Sequence, residues 1–455
     1  MRGPRDGQFG GKQNCRGQYC KLTFTFLVFR SNRMCFTLVN VSCNFMQLFT
    51  EQIKKAYGGI HRNIWILAAA TFINRCGSMV LLFMSVYLTK ELHLSLGKTG
   101  FVMSMFGVGS FVGAMIGGRL VDKIGFYPIL IWSLFLCGFS ILVLGQMQDY
   151  TLIALLCFLM NATGDAFRPA NSASISFYSS KENYTKSIAL IRLAMNLGFT
   201  IGPVLGGLLA SVSYQFVFWT DGLTCIRAAI FLFFVLPATH KKNNVKEKQV
   251  EEAETTSDES TVALSPYKNK HYLIFLVSCT LYATAFFQIF SSMPLFFRGE
   301  YHMQENQIGL LMACNGIGVA VIEMFLISYI QNKWTQFNFI SLGTILLAIS
   351  FAILIPWHAM SILMLSIVFL TFSEMFAMPF MSTYAITTSP KKFIGQYMAL
   401  YSVSWSVAQT VAPLLGTALI SLGGFNYLWT GLILLTLFPF LGFQWLHRNT
   451  EKSRV

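Results

Sequence analysis

Residues 198–207 read GFTIGPVLGG and lie inside an apolar run that extends from residue 186 to residue 212. A hydrocarbon core about 30 Å thick needs about 20 apolar residues of helix, so this run is long enough to span a bilayer. Three of its glycines recur at every fourth residue, which allows close packing against another helix in lipid, and its proline predicts a kink. The run therefore predicts a membrane helix that packs closely against its neighbours.

The rest of the chain has the composition of a membrane protein. Of its 455 residues, 54% are hydrophobic and 11% are charged, against about 25% charged in a typical soluble domain. This composition argues against a water-soluble enzyme, and the long runs without strand-like alternation argue against a β-barrel. We predict an all-α membrane protein with 12 transmembrane helices. They are expected at 64–89, 99–121, 127–147, 150–171, 186–212, 214–237, 271–297, 307–330, 337–356, 360–385, 394–420 and 426–446.

The excess of basic residues predicts the orientation. Lys and Arg number 33 and Asp and Glu number 19, which gives a net charge of +14. With twelve spans, the side opposite the termini holds only Lys90, Lys98 and Arg298. The positive-inside rule therefore places both termini in the cytoplasm of a multi-pass plasma (inner) membrane protein. Since the charge is explained by topology, we expect no nucleic-acid partner.

A polar stretch divides the spans six and six. Residues 238–270 are basic first and acidic later, a composition that cannot bury a core and predicts a flexible cytoplasmic linker. The linker separates an amino-terminal six-helix bundle at 64–237 from a carboxyl-terminal one at 271–446. Residues 447–455 form a cytoplasmic tail.

The predicted amino-terminal extension, residues 1–63, is unusual. Its first 45 residues carry four of the ten cysteines but neither an uninterrupted span nor a good signal peptide. The sequence from Met46 resembles an ordinary transporter beginning. We therefore expect translation to start at Met46, so that residues 1–45 are upstream sequence.

The two halves contain a repeat. Pro203 follows Pro169 by 34 positions, Pro413 follows Pro379 by 34, and the two pairs are offset by 210. Glycines of the second run in each half also align, at an offset of 209: Gly100, Gly107 and Gly109 with Gly309, Gly316 and Gly318. Parallel six-helix repeats predict a substrate site between the bundles near the midplane, which is exposed to each side in turn.

Two motifs resemble those of a known family. Residues 118–125, GRLVDKIG, resemble the signature loop of the major facilitator superfamily (MFS), and residues 198–207 resemble the span-5 motif of its bacterial drug:proton antiporter branch. The resemblance covers roughly residues 60–450 and implies two pseudo-symmetric six-helix bundles that work as a monomer. It gives a conformational role to Gly118, Gly125, Gly198, Gly202, Pro203, Gly206 and Gly207.

The chain also departs from that branch. Phe126 and Tyr127 stand where the signature loop usually carries basic residues, and Ala189 replaces the first glycine of the longer antiporter motif. Met160 stands where that motif has an arginine linked to proton transfer. The resemblance therefore does not supply the route of a proton. The ExxER signature of dipeptide transporters is missing from the first run.

Ionisable residues within the runs are costly in lipid and mark candidate sites. Arg75 lies near the middle of the first run and is predicted to face a central cavity, where it binds a substrate carboxylate or pairs with an acid on a neighbouring helix. The adjacent Asn74 is a candidate for the same site. Glu323 and Glu374 are candidate proton carriers, because a carboxyl group in low dielectric can load and release a proton near neutral pH. Each could instead belong to a closing gate.

A second group of charges predicts a gate in the cytoplasmic third of the first bundle. Asp165 and Arg168 are three residues apart on one helix face and can pair. Together with Asp122 and Arg192 they are expected to form a charge network that locks the cytoplasmic side. Two charged residues of the sixth run are interpreted as structural: Asp221 and Arg227.

Polar and aromatic residues of the eleventh run predict either a cavity wall or ordinary packing. Tyr401, Trp405 and Gln409 recur at every fourth residue and share one helix face. Weaker candidates of the same kind are Tyr282, Gln288 and Asn315. The cysteines lack metal-binding spacing, and neither a GxSxG nucleophile nor a Walker loop is present. We therefore predict no catalytic residue, no metal and no cofactor, with a proton gradient as the energy source.

These features lead to three hypotheses. The first is a secondary active transporter that works by alternating access and exports lipophilic or drug-like molecules in exchange for protons. The second keeps the fold but makes the protein an importer or facilitator of a small anionic metabolite that binds Arg75. The third is a non-transporting membrane sensor or assembly factor, which has little use for a breakable charge network. The expected partners are a small-molecule substrate and the lipid bilayer.

Overall fold

The computed structural model describes residues 58–180, 183–237, 265–330, 333–356, 359–390 and 393–452. The predicted amino-terminal extension up to residue 57, with the expected start at Met46, lies outside these residues. So do residues 238–264 of the predicted linker at 238–270.

Every regular element of the described residues is a helix, and the ends of the helices lie within seven residues of the ends of the predicted apolar runs. They are α1 (Arg62–Lys90), α2 (Leu96–Ile124), α3 (Phe126–Leu144), α4 (Tyr150–Tyr178), α5 (Tyr184–Val212), α6 (Tyr214–Val235), α7 (Lys270–Gly299), α8 (Glu305–Ile330), α9 (Gln336–Ala352), α10 (Met360–Thr387), α11 (394–422) and α12 (425–452). The last two meet at Gly423 and Gly424, whose backbone is not helical. The predicted all-α membrane fold is confirmed.

The outer surface of the helices is apolar. Leu155, Phe233 and Leu441 are among many large hydrophobic side chains that are more than half exposed. Soluble monomers rarely expose contiguous apolar surface on this scale. In a bilayer these side chains contact the lipid acyl chains, so the exposed apolar belt agrees with the membrane assignment.

The even number of helices puts both ends of the fold on one side. We call this side, where α1 begins and α12 ends, the terminal face, and the other side, where α1 ends and α2 begins, the opposite face. Connections on the opposite face are short: Ser213 alone joins α5 to α6, and residues 91–95 join α1 to α2. Such tight connections hold consecutive helices side by side.

The first helix of each half is broken near its middle. The first segment of α1 ends at Cys76 and helix resumes at Val80. The first segment of α7 ends at Phe286, and a short 3-10 turn precedes the segment that begins at Ser292. Cys76 and Phe286 are 210 positions apart, which is the offset of the sequence repeat. Corresponding interruptions in two repeats are typical of transporter binding sites.

The two halves meet along two helix pairs, α5 with α8 and α2 with α11. Near the opposite face, Gly207 of α5 lies against Gly309 of α8. A Cβ atom at Gly207 would be 2.5 Å from the carbonyl oxygen of Glu305 and 3.1 Å from the Cα of Gly309. Only glycine at both positions permits this separation of the backbones, so the halves are in close contact on this side.

Candidate functional site

A small cavity lies between the halves, where the broken helices α1 and α7 meet α2 and α11. Its lining is apolar and aromatic apart from one hydroxyl and one amide. The amino-terminal half supplies Leu81, Met103 and Phe106, and the carboxyl-terminal half supplies Phe287, Phe290, Ser291, Gln409 and Pro413. Its volume is only about 20 Å³, room for about one water molecule, so in this conformation it marks a place where apolar side chains of the two halves converge.

The predicted polar and aromatic face of α11 divides between the cavity and the core. Gln409 lines the cavity, and the ring of Trp405 lies 5.9 Å from that of Phe287, which also lines it. Tyr401 lies one turn farther from the cavity and is buried, and its ring centre is 6.3 Å from that of Phe275. Two of the three residues are therefore placed at or next to the cavity, and Tyr401 packs in the core.

Arg75 lies at the break in α1. Its guanidinium is 5.2 Å from the ring centre of Phe199 in α5, and its Nε is buried without a hydrogen-bond partner among the described residues. Asp165 and Arg168 of α4 are close enough to act on it electrostatically. The neighbouring Asn74 instead donates to the Cys225 thiol in α6 at 3.4 Å, which turns it into the amino-terminal half.

The four predicted gate residues do not form one network in this conformation. Arg168 donates to Asp165 at 2.9 Å on the same helix. Arg192 pairs across the interface with Glu323 of α8, at 2.7 Å between Nη2 and Oε1. Asp122 is exposed and makes no ion pair with the residues that the structure describes. Arg192 is thus the member of the set that joins the two halves.

The two candidate proton carriers, Glu323 and Glu374, have different partners. Glu374 on α10 accepts a hydrogen bond from the Asn315 amide at 3.4 Å, and Asn315 also donates to Thr371 at 3.0 Å. These contacts lie within the carboxyl-terminal half. Glu323 contacts the other half through Arg192. Only the contact of Glu323 with Arg192 changes when the halves move apart.

A buried carboxylate that the sequence analysis missed closes the opposite face. Glu305 begins α8, and its side chain is only 4% exposed. It accepts from Lys90 at 2.9 Å and Tyr214 at 2.9 Å in the amino-terminal half, and from Arg298 at 3.3 Å in its own half. The four residues form an ionic cluster that joins α1, α6, α7 and α8.

Asp221 has the structural role that was expected of it, at the break in α1. Its Oδ2 accepts from the backbone N–H groups of Met79 at 3.1 Å and Val80 at 3.0 Å. Both amides lie at the start of the second helical segment, so the carboxylate caps that segment. In α7 the amide of Gln288 donates to the Ala412 carbonyl at 2.9 Å and ties its break to α11.

Comparison with known proteins agrees with this architecture. The sequence profile of the Major Facilitator Superfamily matches residues 67–334 and again residues 275–455. The chain belongs to the Major Facilitator Superfamily. The resemblance of its two motifs to those of that family is therefore confirmed at the level of the superfamily.

Among MFS relatives, an uncharacterized MFS-type transporter of Bacillus subtilis (strain 168), YttB, is 25% identical over 83% of this chain and 93% of its own length. A Na⁺, Li⁺, K⁺/H⁺ antiporter of Planococcus maritimus is 21% identical over 86% and 96%. The quinolone resistance protein NorA of Staphylococcus aureus (strain MSSA476) is 21% identical over 62% and 70%. A crystal structure of a POT family transporter with 5-aminolevulinic acid superimposes with a TM-score of 0.72 at 14% identity, over 86% of this chain and 98% of that one, which shows a shared fold.

MFS membership explains the position of the span-5 motif. Gly198 and Gly202 of α5 lie against Arg75 and Cys76, just before the break in α1, and Gly206 lies against Met79 just after it. Gly207 contacts α8 on another side of the helix. The motif thus packs α5 against both the broken helix and the other half of this MFS transporter. MFS transporters need no cofactor, and the described residues contain no cluster of three metal-binding side chains.

Proposed function

We propose that this MFS transporter is a secondary active exporter that exchanges protons for lipophilic, drug-like molecules by alternating access. The observation that carries the proposal is the apolar and aromatic cavity between the halves. Five of its eight lining side chains are Leu, Met or Phe, with one serine hydroxyl and one glutamine amide as polar groups. Such a lining binds by burial of apolar surface and suits flat lipophilic compounds.

Two kinds of relative support export and coupling. One is named for resistance to quinolones and another for exchange of Na⁺, Li⁺ or K⁺ against H⁺. Glu323 and Glu374 are the proposed proton carriers in this chain, because each is a carboxyl group within a membrane helix, where ionisable residues mark proton and ion pathways. Energy then comes from the proton gradient.

The orientation is part of the proposal. We place the terminal face in the cytoplasm of the plasma membrane, because basic residues crowd that side and only Lys90, Lys98 and Arg298 lie on the other. In this orientation, the ionic cluster around Glu305 seals the outward side, and Asp165, Arg168 and Arg192 belong to the inward side.

Transport by the purified protein in lipid vesicles tests the proposal. A lipophilic dye such as ethidium should move when a pH gradient is imposed and should stop moving when a protonophore removes the gradient. Movement that ignores the gradient would disprove coupling. If no compound moves in a panel of lipophilic cations and neutral drugs, the exporter proposal is wrong.

A pair of variants tests the assignment of the cavity. Phe290 lines the cavity, whereas Phe438 is 63% exposed on the lipid-facing surface. We expect Phe290→Ala to raise KM for the dye about tenfold, equivalent to about 1.4 kcal/mol of binding free energy. Phe438→Ala removes the same ring and should leave KM unchanged. Equal effects from the two variants would place the binding site elsewhere.

One observation favours a second function, import or facilitated movement of a small anion. The buried Nε of Arg75 has no partner among the described residues, as expected if a substrate carboxylate completes its hydrogen bonding. Under this alternative, Arg75→Ala abolishes selectivity for anions. Unchanged anion uptake together with impaired dye export in that variant would reject the alternative.

A further inference from the structure

Arg227 is a charged residue of a membrane helix that lacks a counterion among the described residues. It lies on α6, thirteen residues after the helix begins at Tyr214 and eight before it ends at Val235. Its side chain is exposed, and it makes neither a hydrogen bond nor an ion pair with the part of the chain that the structure describes. At 1.5 Å per residue, its backbone lies about 12 Å from the terminal-face end of α6.

The side of α6 that carries Arg227 faces lipid. Helix α3 packs against the side of Gly222 and Cys225, and α1 packs against the side of Asp221 and Thr224. Large apolar side chains that are exposed lie at helical spacing on either side of Arg227: Phe216, Trp219, Ile230 and Phe234. Arg227 is therefore the charged member of an apolar stripe that contacts acyl chains. We call this surface the α6 stripe.

The helices around the α6 stripe cannot neutralise this charge. Helix α6 packs against α1, α3 and α5, and the sequences of these three helices contain neither Asp nor Glu. The single acid of α6 is Asp221, which is 4% exposed and accepts from the backbone of Met79 and Val80 in α1. The counterion of Arg227 must therefore come from outside these four helices.

The anion that a guanidinium meets on a lipid-facing surface is the phosphate of a lipid. An isolated charge among acyl chains is costly, and a long basic side chain lowers this cost by extending toward the headgroups. For Arg227 the nearer headgroups are those of the terminal face, because the residue lies past the middle of α6 in that direction. A planar guanidinium can donate to two phosphate oxygens at once.

We propose that Arg227 binds the headgroup of an anionic phospholipid in the leaflet at the terminal face. The apolar residues of the α6 stripe contact the acyl chains of that lipid. Zwitterionic lipids also carry a phosphate, but their ammonium group is best satisfied by an acid, and Asp221 is buried on another side of α6. The bound lipid therefore has a net negative charge, as phosphatidylglycerol has. The site does not depend on which substrate the protein transports.

Thermal unfolding of the purified full chain in detergent, with one lipid added at a time, tests this site. We expect phosphatidylglycerol to raise the unfolding midpoint more than phosphatidylcholine with the same acyl chains does. Arg227→Leu should need about ten times more phosphatidylglycerol for the same rise, because a charge-assisted phosphate contact is lost. Without added lipid, Arg227→Leu should unfold no earlier than the unchanged protein. A lower midpoint there would mean that Arg227 stabilises the fold itself, which would overturn the inference.

The matched control is Arg448→Leu, which removes one positive charge from an exposed position near the end of α12. It should leave the response to phosphatidylglycerol unchanged. Equal weakening in the two variants would mean that net charge alone attracts the lipid. An equal response of the unchanged protein to the two lipids would mean that the charge of the headgroup is not recognised. Either result would overturn the inference.

The same samples distinguish two other sources of an anion. If the unchanged protein is a dimer and Arg227→Leu is a monomer, the α6 stripe is an interface between copies of the chain. If inorganic phosphate raises the midpoint as much as phosphatidylglycerol does, the site binds a soluble anion. Either result rejects the lipid. If Arg227→Leu does not fold, Arg227→Gln also removes the charge and should show the same loss, and an unchanged response in that variant would overturn the inference.

Discussion

The two ends of α8 both join the halves through a carboxylate, but in different ways. At the opposite face, Glu305 is 4% exposed and accepts from three donors, and the Gly207–Gly309 contact lies one turn away. At the terminal-face end, Glu323 accepts from one arginine that is half exposed. A buried charge that loses three donors is costly, whereas a single pair with a half-exposed arginine contributes less. In this conformation the opposite face is therefore closed and the terminal face is held by a weak contact.

The largest expected effect is at Glu305. Glu305→Gln removes the charge that Lys90 and Arg298 share, and we expect it to destabilise the closed opposite face on the order of 3 kcal/mol. In a protein from which the native cysteines have been removed, Gln409→Cys places one thiol in the cavity between the halves. Access of a reagent to this thiol reports whether the opposite face is open. Its labelling by an impermeant maleimide from the opposite face should rise.

The matched control is Glu300→Gln, an exposed acid on the same face. It should leave labelling unchanged. Equal labelling in the two variants would mean that the buried cluster does not hold this face closed, and the contrast between the ends of α8 would be lost.

An intermediate effect is expected from the backbone contact. A Cβ atom at Gly309 would collide with the carbonyl oxygen of Pro203 in α5. Gly309→Ala should therefore cost about 1–3 kcal/mol, seen as a lower midpoint of thermal unfolding. Gly395→Ala is the control, since a Cβ atom there has nothing within 4 Å. An unchanged unfolding midpoint in Gly309→Ala would show that α5 and α8 can move apart to accommodate the added Cβ atom with no loss of stability.

The smallest effect is expected at the other end of α8. Arg192→Lys keeps the charge but loses the planar guanidinium, and because the side chain is half exposed, the cost should stay within about 1 kcal/mol. Thermal unfolding of the variant at low and high salt measures this. A loss as large as that of Glu305→Gln would show that the two ends are equally strong.

Hydropathy was sufficient to predict the fold, because in a bilayer each spanning segment must make its backbone hydrogen bonds within an apolar helix. It was not sufficient for side-chain direction. The position of Asn74 beside Arg75 predicted a place in the cavity, yet helix rotation turns its amide to Cys225 in α6. Spacing along one helix defines faces but not which neighbour each face meets.

Glu305 was missed for a related reason. It stands at the edge of its apolar run, between Gln304 and Asn306, where an acid usually indicates a solvated loop. Its burial results from α1 and α6 packing over it, a contact between residues 91 and 215 positions apart. One signal was available: Lys90 and Arg298 are two of only three basic residues predicted on that side, and each needs an acidic partner.

The short connections on the opposite face also determine what other macromolecules can bind there. One residue joins α5 to α6, two glycines join α11 to α12, and five residues join α1 to α2. A protease needs an extended stretch of chain in its active site, and an antibody needs an epitope that projects from the lipid. If this face is the outer surface of a cell, these three connections offer little to either. They would then resist digestion of intact cells and would be poor epitopes.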